Sequence, residues 1–286
     1  MHKVSAIIPT YNSSAEQLSL SVTSVLEQSY PNIEIIVVDD GSKHAFSGIE
    51  SVKAFSLKPI TWHRLSTNSG VAFARNRGAE MAQGELLAFL DAGDWWEPDK
   101  LEEQVAAFAR DDNVGLIYTS AVVHHPKVTI LLEATVEEDA YHRLLVSQPI
   151  TGSASGVLMP KDVFKKVGGF FEKYDIPEDR DLWLRVSENY RVLAVKRPLV
   201  HLEVNPQGRS ADPGKKLCTY YTFLNIHKDR LSREGKWLEA KSGVHVSIGK
   251  KALRSSRPFL ACKHFAQAAI INPRWFVRAA SRRLLF

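Results

Sequence analysis

Of 286 residues, 44% are hydrophobic and 24% charged, an ordinary globular composition. It excludes low-complexity, collagen-like and disordered chains, and it suits one large domain or a domain with an appendage. The net charge of +5 is unevenly spread: from Lys236 onward eleven Lys and Arg face one acid, Glu239, whereas the preceding residues carry 26 bases and 31 acids. An acidic-to-neutral body excludes a main surface built to grip nucleic acid and fits an enzyme with one region that meets an anionic surface.

In chain order, Val4 to Ile8 is a continuous apolar run stopped by Pro9, which predicts a strand buried on both faces. Ser13 and Ser14 are candidate N-caps for a helix through Leu18, Val22, Val25 and Leu26. Ile33 to Val38 predicts a second buried strand, ending in Asp39-Asp40-Gly41-Ser42, and Trp62 to Leu65 a third. Asn68-Ser69-Gly70 opens a helix through Ala72, Ala74, Ala79 and Met81. Leu86 to Leu90 is the next strand, closed by Asp91-Ala92-Gly93-Asp94, and a helix from Pro98 shows Leu101, Val105 and Phe108 on one face. Strands alternating with helices, each strand too apolar to face water, predict an α/β fold with a mostly parallel sheet sandwiched by helices. Ligands bind such sheets at the carboxyl ends of the strands. Three of those ends are polar here.

After Gly115 the pattern loosens. Leu116 to Val123 reads as a strand, His142 to Val146 as a helix, and Thr151 to Gly156 as a loop of small residues before a short strand, Val157 to Met159. Asp162 to Val167 is a short helix ended by Gly168-Gly169. Glu178-Asp179-Arg180-Asp181 opens another helix, Val192 to Val195 and Leu199 to Leu202 read as two late strands, and Asn205 to Pro213 is a Pro/Gly loop. Everything beyond it reads helical. The expected organisation is a catalytic domain at 1–205 and a basic helical C-terminal extension at 206–286.

Each polar cluster supports two readings. Asp39 and Asp40 suit a simple turn or an acceptor for a base N–H or ribose hydroxyl. Asp91 and Asp94 stand where a divalent cation could bridge carboxylates to a diphosphate, or where Asp94 or Asp99 caps the following helix. Trp95 and Trp96 read as core or rim packing before sugar platforms. Arg75 could hold a phosphate or face water. Glu178, Asp179 and Asp181 are crowded enough to favour a general base, yet acids at a helix start also complement its dipole.

Taken together, VSAIIPTYN, IIVVDDGS, NSGVAFARNRGAEMAQGELLAFLDAGDWWEPDKLE and GGFFEKYDIPEDRDLWLRV stand in an order and spacing that resembles the family 2 glycosyltransferases, which have the GT-A fold. The resemblance covers about residues 1–205 and implies an inverting transfer from a nucleotide-diphosphate sugar, a UDP-sugar first, to an acceptor hydroxyl. By position it implies that Pro9, Thr10 and Tyr11 surround the base, that Asp39 accepts from it, and that Arg75 faces base or diphosphate. Asp91 would contact ribose, with Asp91 and Asp94 as ligands of a Mn²⁺ or Mg²⁺ ion. Asp179 would deprotonate the acceptor, with Ser153 beneath the donor sugar and Glu178 and Gly169 on the acceptor side. One departure stands out: the usual Asp-x-Asp-Asp element carries Gly93 at its metal-ligand position, which leaves Asp91 or Asp94 as ligand or metal dependence weakened.

Alternatives are weaker. A sugar nucleotidyltransferase should carry a glycine-rich basic loop after strand one, and a dehydrogenase G-x-G-x-x-G; PTYNSSAEQ offers neither. A nucleotide-sugar-binding scaffold with little turnover remains compatible with Gly93. Met1-His2-Lys3 runs directly into a strand, so no leader is expected, and two cysteines make no disulfide framework, which suits a reducing cytoplasm. The basic tail predicts peripheral contact with an anionic membrane face and a glycan or lipid-linked acceptor in envelope synthesis. His201 and Arg209 are candidates for closing over the diphosphate.

Overall fold

The computed structural model describes residues 1–43, 60–111, 113–126, 128–135, 139–173, 175–204 and 213–281. Arg209, Arg282 and Arg283 fall outside them, as does most of the Asn205–Pro213 loop. The chain divides into two compact units: one built from 1–140, 149–172 and 178–204, the other from 141–148, 173–177 and 205–286. The short segments 141–148 and 173–177 thus join the C-terminal helices, although they are remote from them in sequence.

The first unit holds strands β1 (Val4–Thr10), β2 (Ile33–Asp39), β3 (Ile60–Arg64), β4 (Leu86–Phe89), β5 (Trp95–Trp96), β6 (Val114–His125), β7 (Val128–Leu132), β8 (Val157–Pro160) and β9 (Arg191–Glu203). Among the described residues they form one sheet in the order β3-β2-β1-β4-β8-β6-β9-β5, with β7 paired to β6. The half from β3 to β4 is parallel, as its unbroken apolar runs require. Beyond β4 the sheet is mixed, because β8 runs antiparallel to both β4 and β6 while β6 and β9 are parallel. Helices α1 (Ala15–Leu26), α2 (Val71–Met81), α3 (Lys100–Phe108), α5 (Lys161–Lys166) and α6 (Glu178–Ser187) belong to this unit. Helix α4 (Ala140–Val146) begins at its boundary.

Several local expectations needed revision. Strand β1 continues through Pro9 instead of stopping there. Strand β4 ends opposite Ile7, so at Pro9 one side of β1 has no ladder partner, a position where proline is tolerated. The two expected late strands are one strand, β9. Its pairing with β6 steps from Val195 to Pro198, so Lys196 and Arg197 form a bulge directly before the proline, a kind of irregularity beside which proline is tolerated in a strand. Strands β5 and β7 were not foreseen. The first has two residues, and the second carries mostly exposed apolar side chains without the alternation that marks a half-buried strand.

Helix starts matter most for the site. Ser14 caps α1 with a reciprocal Gln17 capping box, choosing between the two serines. Helix α2 has Gly70 at its N-cap and no cap side chain of its own. Asp40 supplies one from the end of β2: its carboxylate accepts from Ser69 N (2.7 Å), Gly70 N (2.9 Å) and Asn68 Nδ2 (2.8 Å). The second acid of the Asp39-Asp40 pair is therefore a structural pin that aims α2, and Arg75 with it, at the strand ends. Gly41 makes the turn between them at φ +70°, and a Cβ there would lie 2.6 Å from the Thr67 carbonyl carbon.

The second unit is helical: α7 (Pro213–Ile226), α8 (Lys228–Arg233), α9 (Trp237–Arg254), α10 (Pro258–Ile271) and α11 (Pro273–Ser281). A buried polar chain links three of them. Tyr221 Oη lies 2.9 Å from His245 Nε2, and His245 Nδ1 lies 2.9 Å from His264 Nδ1. The three groups form a continuous chain whose donor order follows the histidine tautomers. Burial holds both imidazoles below their ordinary pKa; repulsion from His264 and Lys241 adds to it at His245, and repulsion from Lys263 at His264. Below pH 6.5 the unfolded chain then binds more protons than the folded one, so stability falls as pH drops. The helical unit is expected to melt at lower temperature at pH 5 than at pH 7.5, and His264→Gln to flatten that dependence. Equal slopes for wild type and variant would remove the pair from this role.

Candidate active site

Three strand ends converge on one locus. At the end of β1, Thr10 Oγ1 donates to Ser13 (2.9 Å), Tyr11 is 44% exposed, and Asn12, at φ +51°, bonds through its backbone N–H to Ser42 Oγ (2.8 Å). At the end of β2, Asp39 accepts from Ser42 N (2.9 Å) and Ser42 Oγ (2.6 Å), and Arg64 stands 3.5 Å away. Ser42 thus ties the two loops together, a role that its place in a common turn sequence did not reveal. Pro9 lies buried in β1 beneath them.

At the end of β4, Asp91 and Asp94 part ways. Asp91 keeps 35% of its side chain exposed, and its Oδ1 accepts from Arg75 Nη2 at 2.6 Å. Asp94 is turned inward: Oδ2 accepts from Ser155 Oγ (2.6 Å) and Oδ1 from Glu203 N (3.1 Å). Burial, then repulsion from Asp91, pushes its pKa up to about 7, against the pull of those donors and of Arg75. Gly93 between them adopts φ +103°, where a side chain would be strained.

Ser155, fully buried, is a residue that nothing in the composition of the Thr151–Gly156 loop singles out. Its hydroxyl accepts from Asp91 N (3.1 Å) while donating to Asp94, and its carbonyl accepts from Trp96 Nε1 (2.7 Å). Lys100 Nζ sits 3.7 Å from the Trp96 ring centroid, and burial holds that amine well below its ordinary pKa. The Thr151–Gly156 loop is thereby locked to the end of β4. Trp95 packs instead on His201 and His124, whose rings share a hydrogen bond of 3.0 Å, and His201 also meets Glu97 at 2.7 Å. His201 is thus committed to this cluster.

Arg75 is the hub. It is 2% exposed, lies 5.1 Å from the Phe170 ring, and bonds Asp91 with Nη2 and Glu178 Oε1 with Nη1 (3.1 Å). Burial would lower its pKa, but the carboxylates of Asp91, Glu178 and Asp179 raise it above the ordinary arginine value. Helix α6 divides its acids: Glu178 faces Arg75, Asp181 pairs with Arg185 at 2.6 Å, and Asp179 Oδ2 meets Ser153 Oγ at 3.4 Å. Arg185 Nη2 also donates to Gly169 O (2.7 Å), and Asn76 bonds both the N–H and the C=O of Phe170, so the Gly168–Phe170 turn is held from two helices. Phe170 is buried and Gly169 takes φ +66°. The Arg75 guanidinium thus joins the end of β4 to the start of α6.

The model of the glycosyl transferase family 2 domain matches residues 5–167, more than half the chain. The chain belongs to that family. As a family 2 glycosyltransferase it is 28% identical over 268 residues to the amylovoran biosynthesis glycosyltransferase AmsB of Erwinia amylovora, covering 89% of this chain and 88% of AmsB. Among solved structures, it is similar to S. aureus TarS 1–349 in complex with UDP-GlcNAc, with TM-score 0.61 and 19% identity over 99% of this chain and 92% of that one. It also resembles the mannosyltransferase PcManGT from Pyrobaculum calidifontis in complex with GDP-Man and Mn²⁺, with TM-score 0.65 and 21% identity over 99% and 80%. The fold of this family 2 glycosyltransferase is GT-A. The enzyme class, a transferase, follows from the family.

For a divalent cation, the donors in this family 2 glycosyltransferase are sparse. Among the described residues no group of three or more His, Cys, Asp and Glu gathers to hold a metal. Asp94 has both oxygens engaged and Gly93 offers none, so Asp91 is the carboxylate that reaches the open side. One or two carboxylates plus substrate phosphates suffice for Mg²⁺. Asp91, Glu178 and Asp179 all act on the buried Arg75, so the locus gathers carboxylates to which a diphosphate would bring further negative charge, and a divalent cation would suit it.

Proposed function

We propose that the protein is an inverting glycosyltransferase that moves a sugar from a nucleotide-diphosphate donor, a UDP-sugar first, to an acceptor hydroxyl in envelope polysaccharide synthesis. The observation that carries this reading is the buried Arg75, which joins the Asp91 end of β4 to the Glu178-Asp179 start of α6. AmsB supports the polysaccharide context, and TarS with UDP-GlcNAc the choice of base, although PcManGT with GDP-Man keeps guanine in play.

In this reading Pro9, Thr10 and Tyr11 enclose the base, Asp39 accepts from its imino N–H, and Asp91 faces ribose. Asp91 would also hold a Mn²⁺ or Mg²⁺ ion together with the donor diphosphate; the ion would supply positive charge to the departing diphosphate. Asp94 assists by holding Ser155 and, through it, Asp91 in place. Arg75, with 3% of its side chain exposed, acts through Asp91 and Glu178 rather than by direct grip on phosphate. Asp179 removes the acceptor proton as the hydroxyl attacks the anomeric carbon opposite the leaving diphosphate. The anomeric centre inverts. Ser153 lies under the donor sugar beside Asp179, and Glu178 with the Gly169 turn shapes the acceptor side. The protein works at the cytoplasmic face of a membrane, its basic C-terminal region meeting anionic lipid. Among the described residues no helix is long and apolar enough to cross a membrane.

Thermal stabilisation by UDP, dTDP, GDP and CDP, each with and without Mn²⁺, tests this. UDP is expected to stabilise most, and more with Mn²⁺. Stabilisation independent of metal would place Gly93 as the loss of a cation site, and no stabilisation by any nucleotide would overturn the donor assignment. Tight donor binding without hydrolysis or transfer would favour the binding-scaffold reading that Gly93 suggests.

A further inference from the structure

We infer that α10 carries a lipid-inserting stripe whose partner is an anionic bilayer. The inference rests on the membrane contact proposed above and assigns it to a face. On α10 Phe259, Cys262, Lys263, Ala266 and Ile270 are all exposed and recur at spacings of three and four, which places them within an arc of about 100° on one side of the helix. Phe259 is 91% exposed and Ile270 81%. The opposite side carries Ala261, His264 and Ala268, all buried within the helical unit. The helix therefore spends one face on its neighbours and leaves a second, largely apolar face in water. Helix α11 adds Val277, 65% exposed, between the exposed Arg274 and Arg278.

The charges choose the occupant. Exposed bases at Arg257, Lys263, Arg274 and Arg278 accompany the apolar residues, and from Lys236 on the sole acid, Glu239, is engaged with Lys236. A second copy of the chain meeting this face about a two-fold axis would bring each patch against itself, base against base with no carboxylate to pair. An anionic bilayer answers both features. Its headgroups attract the bases, and the acyl boundary accepts Phe259 and Ile270. This is insertion, not electrostatic contact alone.

The full chain carries its own probe site. With Cys218→Ser, Cys262 in the stripe can be labelled with an environment-sensitive fluorophore and mixed with vesicles of phosphatidylcholine alone or with phosphatidylglycerol added. The expected result is a blue shift with anionic vesicles only. In unlabelled protein, Phe259→Ser/Ile270→Ser should weaken sedimentation with those vesicles by at least about tenfold. Its melting and UDP stabilisation should stay unchanged, because both residues are already in water. Vesicle binding without the shift, abolished by Lys263→Glu/Arg274→Glu but untouched by the serine pair, would overturn insertion while leaving the peripheral contact intact. No binding to anionic vesicles would overturn both. Self-association that the serine pair abolishes, without vesicle binding, would assign the stripe to a second copy.

Discussion

Asp179→Asn is expected to lower sugar transfer by about 10³-fold, within the range that loss of a general base produces, with donor affinity nearly unchanged. The substitution keeps the shape of the side chain and a polar group facing Ser153, 3.4 Å away, while Asp91 and Glu178 still pair with Arg75, so the fold and donor site should shift little. What disappears is the basic oxygen that takes the acceptor proton. Single-turnover transfer and nucleotide binding, measured on the same preparation, separate the two quantities. A variant that transfers at the wild-type rate would take the base role from Asp179 and pass it to a neighbour, Glu178 first. Glu178→Gln is a useful companion, because that residue is committed to Arg75 and its loss should disturb binding as well as rate.

Arg75→Met should cost both stability and donor binding. The guanidinium is buried and divides two donors between Asp91 and Glu178, so its removal takes the shared cation from both carboxylates. Breaking a buried pair in this way costs about 3 kcal/mol. Donor binding should fall in parallel, since Asp91 loses the contact that orients it. Arg75→Lys should recover little, because one ammonium cannot reproduce the fork that holds two carboxylates. Denaturant unfolding and nucleotide affinity for the three proteins test this. Wild-type stability in the methionine variant would mean that Asp91 and Glu178 are held by other groups, and Arg75 would return to a direct phosphate-binding role.

Period and punctuation made much of the first unit readable from residues alone. VSAII, IEIIVV and LLAFL are too apolar for any solvated face, so buried parallel strands were the only inexpensive arrangement, and polar residues had to collect where those strands end. The resemblance of four ordered motifs to family 2 glycosyltransferases pointed to the family, and the family match over residues 5–167 bears that out. Fused strand β9 was harder, because the bulge at Lys196 and Arg197 is written in the partner's register as much as in the strand itself. The mixed half of the sheet has the same origin: the direction in which β8 enters between β4 and β6 depends on pairings across 39 to 74 residues.

What the sequence determined by itself, then, was the set of buried strands, the helix stops, the chemistry gathered at the strand ends and the basic character of the tail. These follow from local properties: hydrophobic period, caps, turns and charge count. Tertiary structure alone decided how like residues divide their work. Asp39 and Asp40 are adjacent, yet one is taken by Ser42 and Arg64 and the other caps α2. Asp91 and Asp94 share a turn, yet only Asp91 opens outward, because Ser155 and the end of β9 claim both oxygens of Asp94. Glu178, Asp179 and Asp181 stand on one turn of helix, yet Arg75 and Arg185 take two of them. A carboxylate's function depends on which donor reaches it first and how much water remains, and those partners lie 16 to 109 residues away for Asp91, Asp94 and Glu178.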